Sequence, residues 1–198
     1  GLLQDITALK SIVIDRERWN AITDIDEDGL NEDLVFKRVY TSGCGKGIIF
    51  HNPLDLINRT KLNDMFCVKG EAIAALMKEF QAWSEEHSMT RGVHSGALAT
   101  PEKMLIFRDD IGRHNALDKV IGEAIATGTG FPEKILLTSG RISSEILSKV
   151  LRCRMPVIAA VGAPTNQAVK LARQANITLV GRVKGCRMNV YSGEERIC

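Results

Sequence analysis

The 198-residue chain has almost no net charge, with 26 lysines and arginines against 24 aspartates and glutamates and a formal balance of +2. So small a balance gives no global basic field for nucleic acid and no acidic tail, and any anion binding must be built locally. Long hydrophobic runs are absent as well. Stretches such as Val157 to Val161 fall far short of the roughly 20 apolar residues that cross a bilayer, and no charged-then-apolar signal opens the chain. Neither a membrane nor a nucleic acid is therefore an expected partner, and the cytoplasm is the expected location. No Cys-x-x-Cys pair occurs. Five cysteines, an odd number, fit free thiols in a reducing compartment better than a disulfide framework. Two further sites are excluded by one residue each. Lys46 is followed by Gly47 where a P-loop needs Ser or Thr, and the acidic stretch opening at Asp24 has Val35 where a calcium loop needs Glu. The chain also starts at Gly1 without Met, so a preceding segment is expected.

Apolar residues make up 44% of the sequence, enough to bury a real core in one domain with a small appendage. Ser11 to Ile14 and Leu34 to Tyr40 read as strands separated by an acidic turn, Asp24 to Gly29. Residues 71–87 read as a helix whose stripe is Ile73, Leu76, Phe80 and Trp83. From Met104 onward the chain alternates. Met104 to Phe107 is a buried strand, Gly112 breaks it, and Ala116, Leu117, Val120 and Ile121 repeat at helical spacing. Strand 134–137, helix 143–152, strand 156–161, helix 165–174 and strand 177–180 follow as βαβαβ. Their continuous apolar character suits a parallel sheet with helices on both faces.

Four stretches carry candidate chemistry. Thr41-Ser-Gly-Cys-Gly-Lys-Gly47 surrounds one thiol with glycine, and exposure beside Lys46 favours the nucleophilic thiolate, making Cys44 the candidate nucleophile. Arg108 to Gly122 places Asp109, Asp110, Arg113 and His114 at a strand-to-helix turn, where backbone N–H groups and side chains converge on ligands in open α/β sheets. Capping accounts for its acids but not for Arg113 beside His114. His94 sits in a glycine-rich turn, and Ser139-Gly-Arg-Ile-Ser143 falls on the same sheet edge as His114. Finally, Arg182, Lys184 and Arg187 cluster within six residues, a density of cationic donors that suits a diphosphate. Cys153, on the rim of a buried stripe, reads as structural.

Together Ser42-Gly-Cys-Gly45, His94, Asp110-Ile-Gly-Arg-His-Asn-Ala-Leu-Asp-Lys119, Ser139-Gly-Arg-Ile-Ser-Ser-Glu145, Leu179-Val-Gly181 with its basic turn, and Asn189-Val-Tyr191 resemble the FdhD/NarQ formate dehydrogenase accessory proteins. The resemblance runs over nearly the whole chain. It implies a three-layer α/β/α sandwich like the cytidine deaminase fold. The zinc signatures His-x-Glu and Pro-Cys-x-x-Cys are missing, so no metal site is expected. It further implies that residues 1–40 are the remnant of a smaller N-terminal region and 41–198 the α/β/α domain.

The implied activity is sulfur transfer. A cysteine desulfurase loads Cys44 as a persulfide, which passes to the molybdenum cofactor, a bis(molybdopterin guanine dinucleotide), for formate dehydrogenase as client. Gly47 takes the second position of the family's Cys-x-x-Cys, so a relay through two thiols is not supported here, although one thiolate can both accept and donate sulfur. The implied cofactor site comprises Arg182, Val183, Lys184, Gly185, Cys186 and Arg187 at the guanine nucleotide end, with His94, Arg113, His114, Ser139, Gly140 and Arg141. A homodimer is among the expected assemblies. Two other readings compete. One is a cofactor carrier without sulfur transfer, and the other a nucleotide-modifying enzyme using His114 oriented by Asp110.

Overall fold

The computed structural model describes residues 6–26, 28, 61–62 and 65–198. Cys44, Lys46, Gly47, the expected strand at 34–40 and the domain boundary expected after residue 40 lie outside them. The chain divides into two compact units, Gly1–Asn52 and Pro53–Cys198. Among the described residues, no helix is long and apolar enough to cross a membrane.

In the first unit a hairpin follows a short 3-10 turn. Strands β1 (Leu9–Asp15) and β2 (Asn20–Ile25) pair antiparallel, with Val13 opposite Ile22 and Asp15 opposite Asn20. The reversal is made by Asp15, whose carboxylate accepts the N–H groups of Glu17 (3.1 Å) and Arg18 (3.0 Å), and by the left-handed Trp19 (φ 55°). This corrects the expected turn at Asp24. The chain has already turned by Trp19, so Asp24 lies in β2.

The second unit is built on a six-stranded sheet. Its elements are helices α1 (Gly70–Trp83) and α2 (Glu85–Thr90), strands β3 (His94–Ala99) and β4 (Met104–Asp110), then helix α3 (Arg113–Ala126) and strand β5 (Ile135–Thr138). Helix α4 (Ser144–Arg152), strand β6 (Val157–Ala160), helix α5 (Asn166–Ala175) and strands β7 (Thr178–Lys184) and β8 (Arg187–Ser192) complete it. The sheet order is β4-β3-β5-β6-β7-β8. Strands β5, β6 and β7 are parallel, whereas β3 runs antiparallel to both β4 and β5, and β8 antiparallel to β7. The sheet is thus mixed, with a parallel centre. The carboxyl ends of β4, β5, β6 and β7 and the amino end of β3 share one edge.

Period-two alternation sends side chains to two cores. Leu98, Leu136, Ile158 and Leu179 are successive cross-strand partners and pack with Leu117, Ile146, Leu147 and Leu171 of α3, α4 and α5. The other face carries Ala97, Leu137, Ala159 and Val180, which pack with Ile73, Leu76, Met77 and Phe80 of α1. Helices therefore cover both faces, an α/β/α layering. Helices α4 and α5 start on side-chain caps: Ser143 Oγ accepts the Ile146 N–H (3.4 Å) and Thr165 Oγ1 the Ala168 N–H (3.2 Å).

Several expectations need correction. Helix 71–87 is two helices, because Ser84 leaves the helix and caps α2, and Trp83 on the expected stripe is 52% exposed. His94 is not in a turn but opens strand β3, whose Gly96-Ala97-Leu98-Ala99 has little β-branched character to announce it. Gly96 lets helix α3 approach closely there, since a Cβ would come within 2.8 Å of Leu117 Cδ2 and 3.3 Å of Ala116 O. Strand β4 is an edge strand in which only Ile106 is buried. Not all cysteines are free: Cys67 and Cys198 form a disulfide, their Cα atoms 6.2 Å apart. Sequence spacing could not show this, because the pair is 131 residues apart and is aligned by the isolated parallel bridge of Val68 with Ile197. Cys153 and Cys186 are free.

Ser84 carries more than its cap. Its Oγ accepts the His87 N–H (2.9 Å) and donates to Asp109 Oδ2 (2.6 Å), joining the α1–α2 corner to the end of β4. Ser84→Ala removes both and leaves a carboxylate short of a donor, so unfolding stability should fall by about 1–3 kcal/mol. A lowered urea midpoint with unchanged denaturant slope is the expected result; an unchanged midpoint would mean that the corner contributes nothing.

Candidate functional site

At the shared strand edge, on the α1 side of the sheet, lies a cavity of about 580 Å³. Phe80, Gln81, Ser84 and His87 of the α1–α2 corner form one wall. Ser95, Ser139 and Val161 come from the strand ends beneath, and Arg182, Val183 and Lys184 of β7 close the far side.

The floor is held by backbone bonds that extend past the strands. Val161 N–H donates to Thr138 O (3.1 Å), Arg182 N–H to Gly162 O (3.1 Å) and Ser139 N–H to Ser95 O (3.1 Å). The Ser95 N–H in turn donates to Ser139 Oγ (2.9 Å). Two glycines permit this closeness. A Cβ on Gly162 would lie 2.6 Å from Gly140 O, and one on Gly181 would lie 2.9 Å from Pro164 Cδ and 3.1 Å from Gly162 O. Arg182 itself is left-handed (φ 54°), where the β7–β8 register shifts between Gly181 and Lys184.

The structure brings one group of expected residues together. His94 Nδ1 lies 3.4 Å from Ser139 Oγ, and a Cβ on Gly140 would lie 3.1 Å from Arg113 Cβ and 3.6 Å from His94 Nδ1. Burial, then the Arg113 guanidinium and His87, push the His94 pKa down, so its imidazole is neutral at neutral pH. Of this group only Ser139 lines the cavity, with Arg182, Val183 and Lys184 of β7, whereas His94, Arg113 and Gly140 lie off its lining; among the described residues no carboxylate pairs with Arg182 or Lys184. The remaining residues stand apart. Gly185 (φ 58°) and the exposed Cys186 form the β7–β8 turn, while Arg187 is the register partner of Lys184 and does not line the cavity. Arg141 is exposed and also off the lining.

His114 faces helix α4 instead, with Nε2 3.3 Å from Glu145 Oε2. Burial and the Lys149 charge lower its pKa despite the Glu145 and Asp118 carboxylates. Asp110 does not orient it. Burial alone would raise the Asp110 pKa, but Lys119 (2.7 Å), the Gly112 N–H (2.9 Å) and Asn115 (3.2 Å) hold it down and bind the carboxylate to its own turn. An Asp110–His114 acid–base pair is therefore not formed. The burial of Cys153 pushes its thiol up to about 11, in keeping with a structural residue. Sequence reasoning missed Phe80, Gln81, Ser84, His87, Ser95 and Val161. The one available signal was Ser84-Glu-Glu, a helix N-cap signature inside the expected helix.

The second unit is thus a mixed α/β sheet with a cavity at its carboxyl edge, the place where α/β proteins commonly bind small ligands. Its fold is similar to the crystal structure of a protein described as a formate dehydrogenase accessory protein from Desulfotalea psychrophila, with a TM-score of 0.74 at 23% identity, covering 100% of this chain and 74% of that one. The sulfur carrier protein FdhD of Bacillus subtilis is 36% identical over 198 residues, all of this chain and 76% of that protein. Its counterpart of the same name in Listeria innocua is 43% identical over 164 residues, 81% of this chain and 62% of that protein. The FdhD/NarQ family model matches residues 1–198, and the chain belongs to that family.

The two histidines set a pH dependence. Both His94 and His114 have folded pKa values below the free value of 6.5, so the unfolded chain binds more protons once the pH drops below that point. Stability is then complete above pH 6.5 and is lost as the pH falls toward the folded values. Denaturation compared on either side of that value should show lower stability on the acid side, and His114→Gln should shrink the difference. Equal or greater stability in acid would contradict the assignment.

Proposed function

We propose that this chain carries sulfur in the maturation of formate dehydrogenase, and that the cavity holds the guanine nucleotide end of the molybdenum cofactor while sulfur is delivered. The observation that carries the cofactor half is Arg182 and Lys184, two cations without protein partners among the described residues, on the wall of a roughly 580 Å³ cavity. That volume falls within the range of small-ligand sites. It suits one nucleotide, not the whole bis(molybdopterin guanine dinucleotide), which is the substrate and not a resident group. Val183 between the cations, and His94, Ser139, Gly140 and Arg113 along the same edge, complete the proposed contacts. Gly185, Cys186, Arg187, Arg141 and His114 lie off the cavity lining and are not among the proposed contacts.

The sulfur half rests on the Cys44 motif and on the sulfur-carrier name of the relatives. The Cys44 thiolate attacks the terminal sulfur of a cysteine desulfurase persulfide; a sulfur–sulfur bond forms at Cys44 as the donor's breaks, and the donor cysteine leaves as thiolate. Lys46 favours the thiolate form. Formate dehydrogenase as client, the cytoplasm as location, a homodimer and kinship with the cytidine deaminase fold are parts of the same reading, the last supported by the α/β/α layering. A carrier that presents the cofactor without moving sulfur is the second reading, favoured by Gly47 in place of a second cysteine.

In a cell lacking the native protein, Cys44→Ser should abolish formate dehydrogenase activity while leaving GDP binding by the purified protein intact. Full activity in that variant would exclude the persulfide and leave the carrier reading. Arg182→Ala should weaken GDP binding roughly tenfold or more, the loss of one charged hydrogen bond. Arg187→Ala, off the cavity wall, should weaken it less; the reverse order in titration calorimetry would move the phosphate site.

A further inference from the structure

The cavity has two chemically different ends. Ser95 is 4% exposed and lines it. Its backbone is bound on both sides by Ser139, yet its hydroxyl has no partner among the described residues. The hydroxyl opens onto the cavity and is not sealed in the protein interior, so it is available to a group bound there. His87 lines the same wall. Its Nδ1 lies 3.2 Å from Val93 O, and a carbonyl only accepts, so in the neutral ring the proton sits on Nδ1 and Nε2 is the acceptor. Phe80, buried beside it, adds an apolar surface. Ser84 is not free, since its Oγ is shared between the His87 N–H and Asp109.

This end lacks a formal charge on its lining, whereas Arg182 and Lys184 stand on β7. Strands β5 and β6 lie between β3 and β7, so the two ends are three strand spacings apart, roughly 14 Å. That separation is on the scale of a nucleoside diphosphate from base edge to terminal phosphate.

We infer that Ser95 and His87 form a neutral subsite for the heterocycle of the bound nucleotide, the His87 Nε2 accepting a ring or amino N–H and the Ser95 hydroxyl donating to the neighbouring acceptor, while Arg182 and Lys184 hold the phosphates. The inference rests on the proposed nucleotide site and adds its orientation and a residue that selects the ligand. The shared chemistry is the adjacent donor and acceptor of a fused nitrogen heterocycle, presented by purines and pterins alike.

The test separates the two ends with probes that occupy only one. Wild-type protein, Ser95→Ala and Ser95→Thr are titrated with guanosine, adenosine and neopterin, which carry no phosphate, and with inorganic pyrophosphate, which carries no ring. At least one ring probe should bind wild type, and which one does identifies the heterocycle. Ser95→Ala should weaken it about three- to tenfold, Ser95→Thr should retain it, and pyrophosphate affinity should stay within about twofold in both. The subsite is overturned if no ring probe binds wild type, if Ser95→Ala leaves ring binding unchanged, or if it weakens pyrophosphate equally. Failure of pyrophosphate to bind wild type would instead count against the phosphate site of the proposed function, and the nucleoside titrations would still decide the Ser95 subsite.

Discussion

The site depends on backbone packed against backbone at the carboxyl edge of the parallel strands. The chain at Gly162 passes so close to Gly140 O that a single added carbon would lie 2.6 Å away, and Gly181 in turn is pressed against Pro164 and Gly162. Because no side chain fits between these loops, the ends of β5, β6 and β7 are held side by side and continue to hydrogen-bond beyond the regular ladder. Ser139, Val161 and Arg182 then fall on one surface. On the opposite flank, Gly96 lets α3 press onto β3, which fixes Ser95 beside Ser139.

Polar groups at this edge are incompletely satisfied. Arg113 Nε and Asp109 Oδ1 are buried without hydrogen-bond partners. His114 Nε2 lies 3.3 Å from Glu145 Oε2 without hydrogen-bond alignment, and with its lowered pKa the ring is mostly neutral at neutral pH. Such groups cost stability, and they concentrate where residues serve ligands in preference to packing. The interior of the same unit is the opposite, with Leu98, Leu136, Ile158 and Leu179 fully buried in one continuous row.

The βαβαβ half was legible because its strands are short apolar runs between caps, and Ser143 and Thr165 start their helices as such residues should. The region from Ser84 to Ala99 was not. One capping serine splits what reads as a single amphipathic helix, and glycine and alanine in β3 give no strand signal of their own, their place being set by pairing with β4 and β5. Those two misreadings hid Ser84, His87 and Ser95. The basic cluster was found, but as a turn; in the structure Arg182 and Lys184 belong to β7, and only Gly185 and Cys186 form the turn, which is why Arg187 parts from the other two. The Cys67–Cys198 pairing was beyond reach, since contact across 131 residues leaves no local trace.

The account's central claim is that one cavity at the strand edge receives a nucleotide lengthwise across β3, β5, β6 and β7. Backbone amide shifts recorded by NMR during a GDP titration test it most directly. The account predicts saturable shifts at Ser95, Ser139 and Gly140 and from Arg182 to Lys184, with none in the hairpin of residues 9–25. Shifts confined to that hairpin, or to the exposed β7–β8 turn without Ser95 and Ser139, would contradict it.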